Sequence, residues 1–264
     1  MNYEQAKNRV KELTPMDNNF FQKIAEDIDS VEEIIQVVLQ NKTLRIVKVI
    51  PQSDIKNLQG RSVILDALCE DSSNKFYNVE VQIADNDNHL RRVRYNASCV
   101  TANLTDTGTK FEKVPDLYVI YISAFDMFGS GRTIYHVEPT IQETRQIVDN
   151  GLHEIYVNTA VDDGTEIAEL MQCFLQPRIN NDKFKNLKKR VDYLKGDKEE
   201  VLKMAGTMKE IAKEYAKECV MKEKIESVDN LINDYDFSLE DACKVIRITV
   251  EQYKAVKEKE AILV

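Results

Sequence analysis

Two carboxylates on neighbouring strand-like runs are the residues of this chain best placed to do chemistry. Asp66 lies in the apolar run 61–69, and Glu80 lies in the run 76–84. The connecting residues 70–75 are polar and suit a turn, so the two runs predict a β-hairpin. If the turn is centred in this connection, the antiparallel register places Asp66 directly opposite Glu80.

Two carboxylates that face each other across a ladder repel, and burying them is costly unless a cation neutralises the pair. Hard oxygen ligands at this spacing are the ligands that Mg²⁺ prefers. The pair therefore indicates metal-assisted hydrolysis. The alternative is that both acids lie on the solvated face of an ordinary hairpin, because most Asp and Glu side chains are exposed.

Further polar residues follow the two carboxylates in the sequence. The pattern consists of Asp66, Glu80, Gln82, Arg91, Arg94 and Tyr95. Its order and spacing resemble those of the PD-(D/E)XK nuclease family transposases, also described as recombination-promoting nucleases. The opening segment 13–23 is similar to that family's N-terminal signature, and the matches run from about residue 13 to 121, with a looser similarity to about residue 158.

The resemblance implies a metal site on the hairpin. Asp66 and Glu80 would hold a divalent ion, with Mg²⁺ expected and Mn²⁺ as a second candidate, and the backbone carbonyl of Val81 would be a third oxygen ligand. Gln82 occupies the place of the lysine that completes the superfamily's name. A glutamine can orient the attacking water by hydrogen bonds, but it brings no charge to the phosphate.

The resemblance also implies roles for residues outside the hairpin. Asp17 matches the N-terminal signature and is a candidate additional acid, whereas its alternative role is an ordinary helix N-cap. Arg91, Arg94 and Tyr95 share one face of a predicted helix and would contact DNA phosphates. The alternative for this face is a solvated surface with a single salt bridge.

Helical spacing of apolar residues predicts that this helix spans residues 89–104. The residues expected on its buried face are Leu90, Val93, Ala97, Val100 and Leu104. His89, at the start of the helix, is expected at the surface. This face would pack the helix against the sheet that carries the carboxylates.

The order of the predicted elements is typical of a restriction-endonuclease-like fold. A helix at 31–39 and a strand at 44–50 precede the hairpin, and a strand at 116–123 follows the long helix. The expected fold class is therefore α/β, with a mixed sheet flanked by helices. We expect the nuclease-like domain to span residues 1–160 and an α-helical C-terminal region to span residues 161–264.

Composition limits the class of protein. The chain has 264 residues, of which 43% are hydrophobic and 31% charged, as expected of a globular protein with a sizeable core. Its five cysteines are scattered without C-x-x-C pairs, which favours neither a disulfide framework nor a zinc site. The sequence has no long apolar run and no apolar N-terminal segment, so we expect a cytoplasmic protein without a membrane partner.

The formal charge of −9 argues against a protein that coats nucleic acid, because nonspecific affinity rests mainly on Lys and Arg. DNA remains the expected partner, bound at a local surface beside the hairpin. The expected function is a Mg²⁺-dependent DNA endonuclease of the recombination-promoting kind. The alternatives are a catalytically inactive module that binds DNA or protein, and cleavage of RNA. The helix predicted at 198–234 has two candidate partners, the core or a second copy of the chain.

Overall fold

A computed structural model gives the fold over residues 3–55, 63–85, 88–235 and 237–263. Only the backbone is described for 51–55, 64, 211, 214–216, 218–219 and 258–263. The first two residues of the predicted strand run 61–69 therefore lie outside the described residues.

Within these ranges, six strands form one mixed sheet in the order β1-β2-β3-β4-β6-β5. They are β1 (Ile46–Ile55), β2 (Val63–Asp71), β3 (Phe76–Gln82), β4 (Leu117–Ser123), β5 (Ile134–Val137) and β6 (Leu152–Asn158). Neighbours from β1 to β3 are antiparallel, β3, β4 and β6 are parallel, and β5 is antiparallel to β6. The strands β3 and β4 are almost fully buried, as expected of strands covered on both faces.

The described residues also form α-helices. They are α1 (Tyr3–Lys11), α2 (Asn18–Ala25), α3 (Ile28–Val38), α4 (His89–Leu104), α5 (Glu166–Phe174), α6 (Lys185–Gly196), α7 (Lys198–Tyr235), α8 (Leu239–Ile246) and α9 (Val250–Leu263). A short 3₁₀ helix spans Phe111–Lys113. The helix α4 packs against β4, and α2 and α3 contact β1. None of the helices described is both long enough and apolar enough to cross a membrane.

The β2–β3 hairpin has the register expected from its sequence. The pairs run from Glu70 opposite Phe76 to Ala67 opposite Val79. This register confirms a turn centred on Ser73. The turn fixes it, because the length and type of a hairpin loop set the pairing of its two strands.

One carboxylate closes the turn end of this hairpin. The Oδ1 atom of Asp71 accepts hydrogen bonds from the backbone N–H groups of Ser73 at 2.8 Å and Lys75 at 2.9 Å. Its Oδ2 atom accepts from the hydroxyl of Tyr77 at 2.8 Å. The turn therefore satisfies its buried acid with donors from the same hairpin.

The other end of the hairpin opens. The pair Ala67–Val79 is the last in the β2–β3 ladder, although β2 stays paired with β1, and β3 with β4, beyond this point. The two strands therefore part next to Asp66 and Glu80. We call this region, defined by residues 63–66 of β2 and 80–82 of β3, the open end of the hairpin.

The chain divides into two compact units, Met1–Ala205 and Gly206–Val264. The helices α5 and α6 contact α3 and belong to the first unit with the sheet. Glu33 of α3 accepts hydrogen bonds from the N–H groups of Asn186 and Leu187, which satisfies the first turn of α6. The sequence placed a division after residue 160, at the change from mixed to helical sequence, whereas compactness divides the chain after Ala205.

The second unit has its own apolar core. Its buried members are Ile225, Val228, Ala242, Cys243 and Ile248. The N–H of Asp241 bonds to Ser238, which caps α8, while Thr249 and Gln252 cap the start of α9 reciprocally.

Candidate active site

Asp66 lies on β2 at the open end of the hairpin, where its side chain is only 7% exposed. Its Oδ2 atom accepts a hydrogen bond from the N–H of Val81 at 3.0 Å, and its Oδ1 atom accepts from Gln22 Nε2 of α2 at 3.0 Å. Burial raises the pKa of Asp66 to about 6, and the negative charge of Glu80 adds to the rise. These two hydrogen bonds and the charge of Arg92 partly oppose it.

Glu80 lies on β3 and is 3% exposed. Its Oε1 atom accepts two hydrogen bonds, from Asn78 Nδ2 at 2.8 Å and from Asn96 Nδ2 of α4 at 2.7 Å. Among the described residues, none donates a hydrogen bond to Oε2. Two neutral amides thus fix one oxygen of the carboxylate and leave the other for a further ligand.

The backbone of Val81 also faces the open end. The carbonyl of Gln82 accepts from the N–H of Ala124, so residue 82 turns its backbone groups towards β4. Successive residues of a strand direct these groups to opposite sides, so those of Val81 face β2. Its N–H does bond to Asp66 on that strand. The carbonyl of Val81 lies on the same side, beyond the last ladder pair.

These oxygens suit a hard divalent cation. Asp66, Glu80 and the carbonyl of Val81 offer only oxygen ligands, and each carboxylate oxygen can accept more than one contact. No group of three or more His, Cys, Asp or Glu side chains with metal-site geometry occurs in the part of the chain that the structure describes. Two carboxylates and one carbonyl are donors of the kind that Mg²⁺ accepts, because this ion commonly keeps several water ligands and takes only one or two carboxylates from a protein.

The amide of Gln82 has a partner at each end. Its Oε1 atom accepts from Arg92 Nη1 at 3.2 Å, and its Nε2 atom donates to the carbonyl of Ala84 at 2.8 Å. Sequence reasoning did not select Arg92, which lies four residues before Asn96 on α4. That spacing was the available signal, because residues four apart lie on one face of a helix.

The helix α4 begins and ends where the sequence predicted, at His89 and Leu104. Arg91 and Arg94 are exposed, and Tyr95 is half-buried against the core. The two exposed guanidinium groups flank Arg92 along the helix. Their contact with DNA, and that of Tyr95, stays a prediction.

The buried face of α4 differs in part from the expected one. Val93, Ala97 and Val100 are buried as predicted, and Leu104 is half-buried. Leu90, however, is 45% exposed, and His89 is 3% exposed with Nδ1 at 2.8 Å from the hydroxyl of Tyr121. The helix is rotated towards its polar side because Asn96 is buried against Glu80. An apolar pattern cannot reveal an amide that is buried on a carboxylate.

Asp17 precedes α2 at the N-cap position, but its side chain makes no capping hydrogen bond. Its Oδ2 atom instead accepts from the N–H of Thr14 at 2.6 Å and from the Thr14 hydroxyl at 3.2 Å. The carboxylate therefore closes the turn that leads into α2. Its role as an additional acid remains a prediction, whereas Gln22 of the same helix does reach Asp66.

Comparison with known families agrees with this geometry. Residues 26–242 match the model of a family described as PD-(D/E)XK nuclease family transposase. The match covers most of the chain, including the whole sheet, α4 and both carboxylates, so the chain belongs to this family, and the expected α/β restriction-endonuclease-like fold is confirmed. Searches among curated proteins and among solved structures found no match.

Proposed function

We propose that this family member is a metal-dependent endonuclease that hydrolyses phosphodiester bonds of DNA at the open end of the β2–β3 hairpin. The observation that carries the proposal is the state of Asp66 and Glu80. Both are buried, and within the described ranges neither forms an ion pair. Buried charges that lack a counter-charge are costly, and a divalent ion would neutralise the pair.

Asp66, Glu80 and the carbonyl of Val81 would hold Mg²⁺, with Mn²⁺ as a second candidate. Bound there, the ion would supply Lewis-acid polarisation of the phosphate and a stronger water nucleophile. Asn78 and Asn96 orient Glu80 so that only one of its oxygens is engaged. The backbone N–H of Val81 and the amide of Gln22 fix Asp66 by engaging one of its oxygens each.

The amide of Gln82 would position the attacking water. It lies two residues after Glu80 on β3, and its orientation is set by its contacts with Arg92 and Ala84. A positioned water reacts faster because less entropy is lost on reaching the transition state. Gln82 would contribute orientation to the site but no charge.

DNA would approach along the exposed face of α4. Arg91 and Arg94 are exposed on this helix, which also carries the Asn96 that contacts Glu80. Guanidinium groups bind phosphate oxygens through parallel hydrogen bonds. In a chain with a net charge of −9, such a local cationic face would set where DNA binds.

A second candidate is a catalytically inactive module that binds DNA or protein. It is favoured by the partners that the carboxylates already have. Amide and N–H donors hold both acids, and a pKa of about 6 lets Asp66 take up a proton near neutral pH. Thermal unfolding with added Mg²⁺ or Mn²⁺ separates the candidates, because an inactive module without a metal site would show no shift.

The test of catalysis is nicking of a supercoiled plasmid, with and without Mg²⁺, by the wild type, Asp66→Ala and Asp106→Ala. Asp106 is an exposed acid beyond the end of α4 and serves as the matched control. We expect metal-dependent nicking by the wild type and by Asp106→Ala, and none by Asp66→Ala with an unchanged melting curve. Equal nicking by all three proteins would identify a contaminating nuclease and contradict the proposed site.

A further inference from the structure

The open end of the hairpin lacks a positive charge where the superfamily carries its lysine, because residue 82 is Gln. The nearest cation with a hydrogen bond to this position is Arg92, which donates from Nη1 to Gln82 Oε1 at 3.2 Å. Its side chain comes from α4, a separate element, and reaches the end of β3. A positive charge therefore lies at this position although residue 82 itself is neutral.

Arg92 differs from its two neighbours on α4. Arg91 and Arg94 are exposed, whereas Arg92 is half-buried. Its guanidinium forms no ion pair with any carboxylate among the described residues, and its hydrogen-bonded side-chain partner is the neutral Gln82. A half-buried cation usually needs a counter-charge, and the charge that acts on Arg92 is that of Asp66, although the two side chains do not form a direct ion pair.

The guanidinium of Arg92 also has donors to spare. A guanidinium carries five N–H groups in a planar fork, and one of them is engaged by Gln82. The remaining N–H groups suit a phosphate oxygen, because Arg binds phosphate through two parallel hydrogen bonds. The contact with Gln82 would hold the side chain in place before DNA arrives, which lowers the entropic cost of binding.

Charge balance gives Arg92 a defined role. A divalent ion would offset the two negative charges of Asp66 and Glu80. The negative charge of the phosphodiester, and the additional negative charge that develops on it as water attacks, would then have no counter-charge. Stabilising a charge that grows towards the transition state is the most effective use of a fixed cation. Gln82 cannot supply such a charge.

We propose that Arg92 supplies from α4 the positive charge that residue 82 lacks, by contacting a non-bridging oxygen of the scissile phosphate. The inference rests on the proposed nuclease function and assigns Arg92 as a further catalytic residue. Gln82 then has two roles, since its amide both positions water and holds the guanidinium.

The test moves the positive charge from position 92 to position 82. Nicking is measured at saturating Mg²⁺ for the wild type, Gln82→Lys, Arg92→Gln and the double variant Gln82→Lys/Arg92→Gln. We expect Arg92→Gln to lower kcat by about 100-fold, in the range of other losses of a group that stabilises a developing charge. In the double variant the new lysine should return kcat to within about tenfold of Gln82→Lys alone.

Two controls separate charge from folding. Arg92→Lys keeps the charge and should retain more activity than Arg92→Gln, with a similar melting temperature. Arg178→Gln removes one exposed cation elsewhere in the first unit and should leave kcat unchanged. If the effects of Gln82→Lys and Arg92→Gln are simply additive in the double variant, a lysine at residue 82 does not replace the charge of Arg92 and the inference is wrong.

A binding measurement makes the inference independent of turnover. Fluorescence anisotropy of a labelled duplex, without divalent ions, should show weaker binding by Arg92→Gln and a salt slope smaller by about one unit. The double variant should recover both properties, and an unchanged slope in Arg92→Gln would overturn the inference. If the wild type binds DNA but never cleaves it, the nuclease proposal fails while this comparison still decides whether Arg92 meets a phosphate.

Discussion

The two ends of the β2–β3 hairpin both bury a carboxylate of β2, yet they satisfy it in different ways. Asp71 at the turn end and Asp66 at the open end are each 7% exposed. Asp71 takes its three hydrogen bonds from Ser73, Lys75 and Tyr77, all within the same hairpin. Asp66 instead relies on an amide from α2 and faces the second carboxylate of Glu80.

Equal burial therefore does not indicate an equal role. Asp71 at the turn end takes its hydrogen bonds from donors within the hairpin, as expected of a structural residue. The acids at the open end need α2 and α4 to hold them, and one oxygen of Glu80 accepts no hydrogen bond from the described residues. A site whose polar groups remain available after folding is suited to a ligand, whereas a site closed by its own turn is suited to stability.

The largest expected difference between the two ends is in activity. Glu80→Gln keeps an Oε1 acceptor for Asn78 and Asn96 but removes one charge, so it should hold or raise the stability of the metal-free protein. It should also lower nicking by at least about 1,000-fold, corresponding to roughly 4 kcal/mol. Asp71→Asn should do the reverse, keeping nicking and lowering the free energy of unfolding by about 1–3 kcal/mol.

Plasmid nicking and urea unfolding of both variants measure this contrast. A marked loss of stability in Glu80→Gln would show that the acid pair is structural, like Asp71. Loss of nicking in a stably folded Asp71→Asn would show that the turn end takes part in the chemistry.

The next effect concerns pH. The pKa of Asp66 is raised from 3.8 to about 6 in the folded chain, so the folded state binds the proton more tightly than the unfolded state. This contribution to stability is present below pH 3.8 and is lost as the pH rises through about 6. Its full size is about 3 kcal/mol, from a shift of about two pKa units at 1.36 kcal/mol each.

Urea unfolding of the metal-free protein between about pH 4 and 7, compared with Asp66→Asn, isolates this contribution from other titrating groups. The asparagine keeps an acceptor for Val81 and cannot ionise, so the wild type should lose stability relative to the variant as pH rises. Parallel pH profiles for the two proteins would mean that Asp66 titrates normally and that burial at the open end carries no cost.

A smaller effect is expected at Gln82. Gln82→Ala removes both the water-positioning amide and the partner of Arg92, and it should lower nicking by at least about tenfold, or roughly 1.4 kcal/mol. Gln82→Lys should retain nicking at saturating Mg²⁺, because the lysine restores a charge near the phosphate. Its pairing with Glu80 should raise the Mg²⁺ concentration required, which a metal titration measures. Full activity of Gln82→Ala would remove Gln82 from the mechanism.

The smallest effect is expected in DNA binding. If the cationic face of α4 serves the open end, Arg91→Gln/Arg94→Gln should weaken binding to all sequences and flatten its salt dependence by about one unit for each lost contact. Lys110→Gln/Lys113→Gln is the matched pair, because these exposed lysines precede β4 and lie towards the turn end of the sheet. If the salt dependence of DNA binding changes equally in the two double variants, α4 has no special role in DNA binding.

The sequence was sufficient to predict the scaffold of the open end. The polar connection between two strand-like runs predicted the turn and the register of the hairpin, and helical spacing predicted α4 from His89 to Leu104. The expected pair of Asp66 with Glu80 is the next in this register but lies beyond the end of the ladder. These features are local, and each is determined by residues close together in the chain. The strand predicted at 116–123 is also present, as β4 beside β3.

The residues that complete the site could not be read from local patterns. Gln22 reaches Asp66 across 44 positions of sequence, and Asn96 reaches Glu80 from a helix that was expected to turn Leu90 inwards. Arg92 was passed over because a helical arginine beside two others looks like part of a solvated face. The partners of buried polar groups depend on how elements pack, which a single sequence does not contain.

The early end of the β2–β3 ladder has a consequence for how this family can diverge. The acids face a gap because pairing stops at Ala67 and Val79, not because a separate loop was added to carry them. A substitution that let the ladder continue by one more pair would close that gap while keeping the sheet, the helices and the core. If cleavage requires that gap, as proposed, a single substitution would silence a family member on an intact scaffold, and family membership alone would not separate active from silent members.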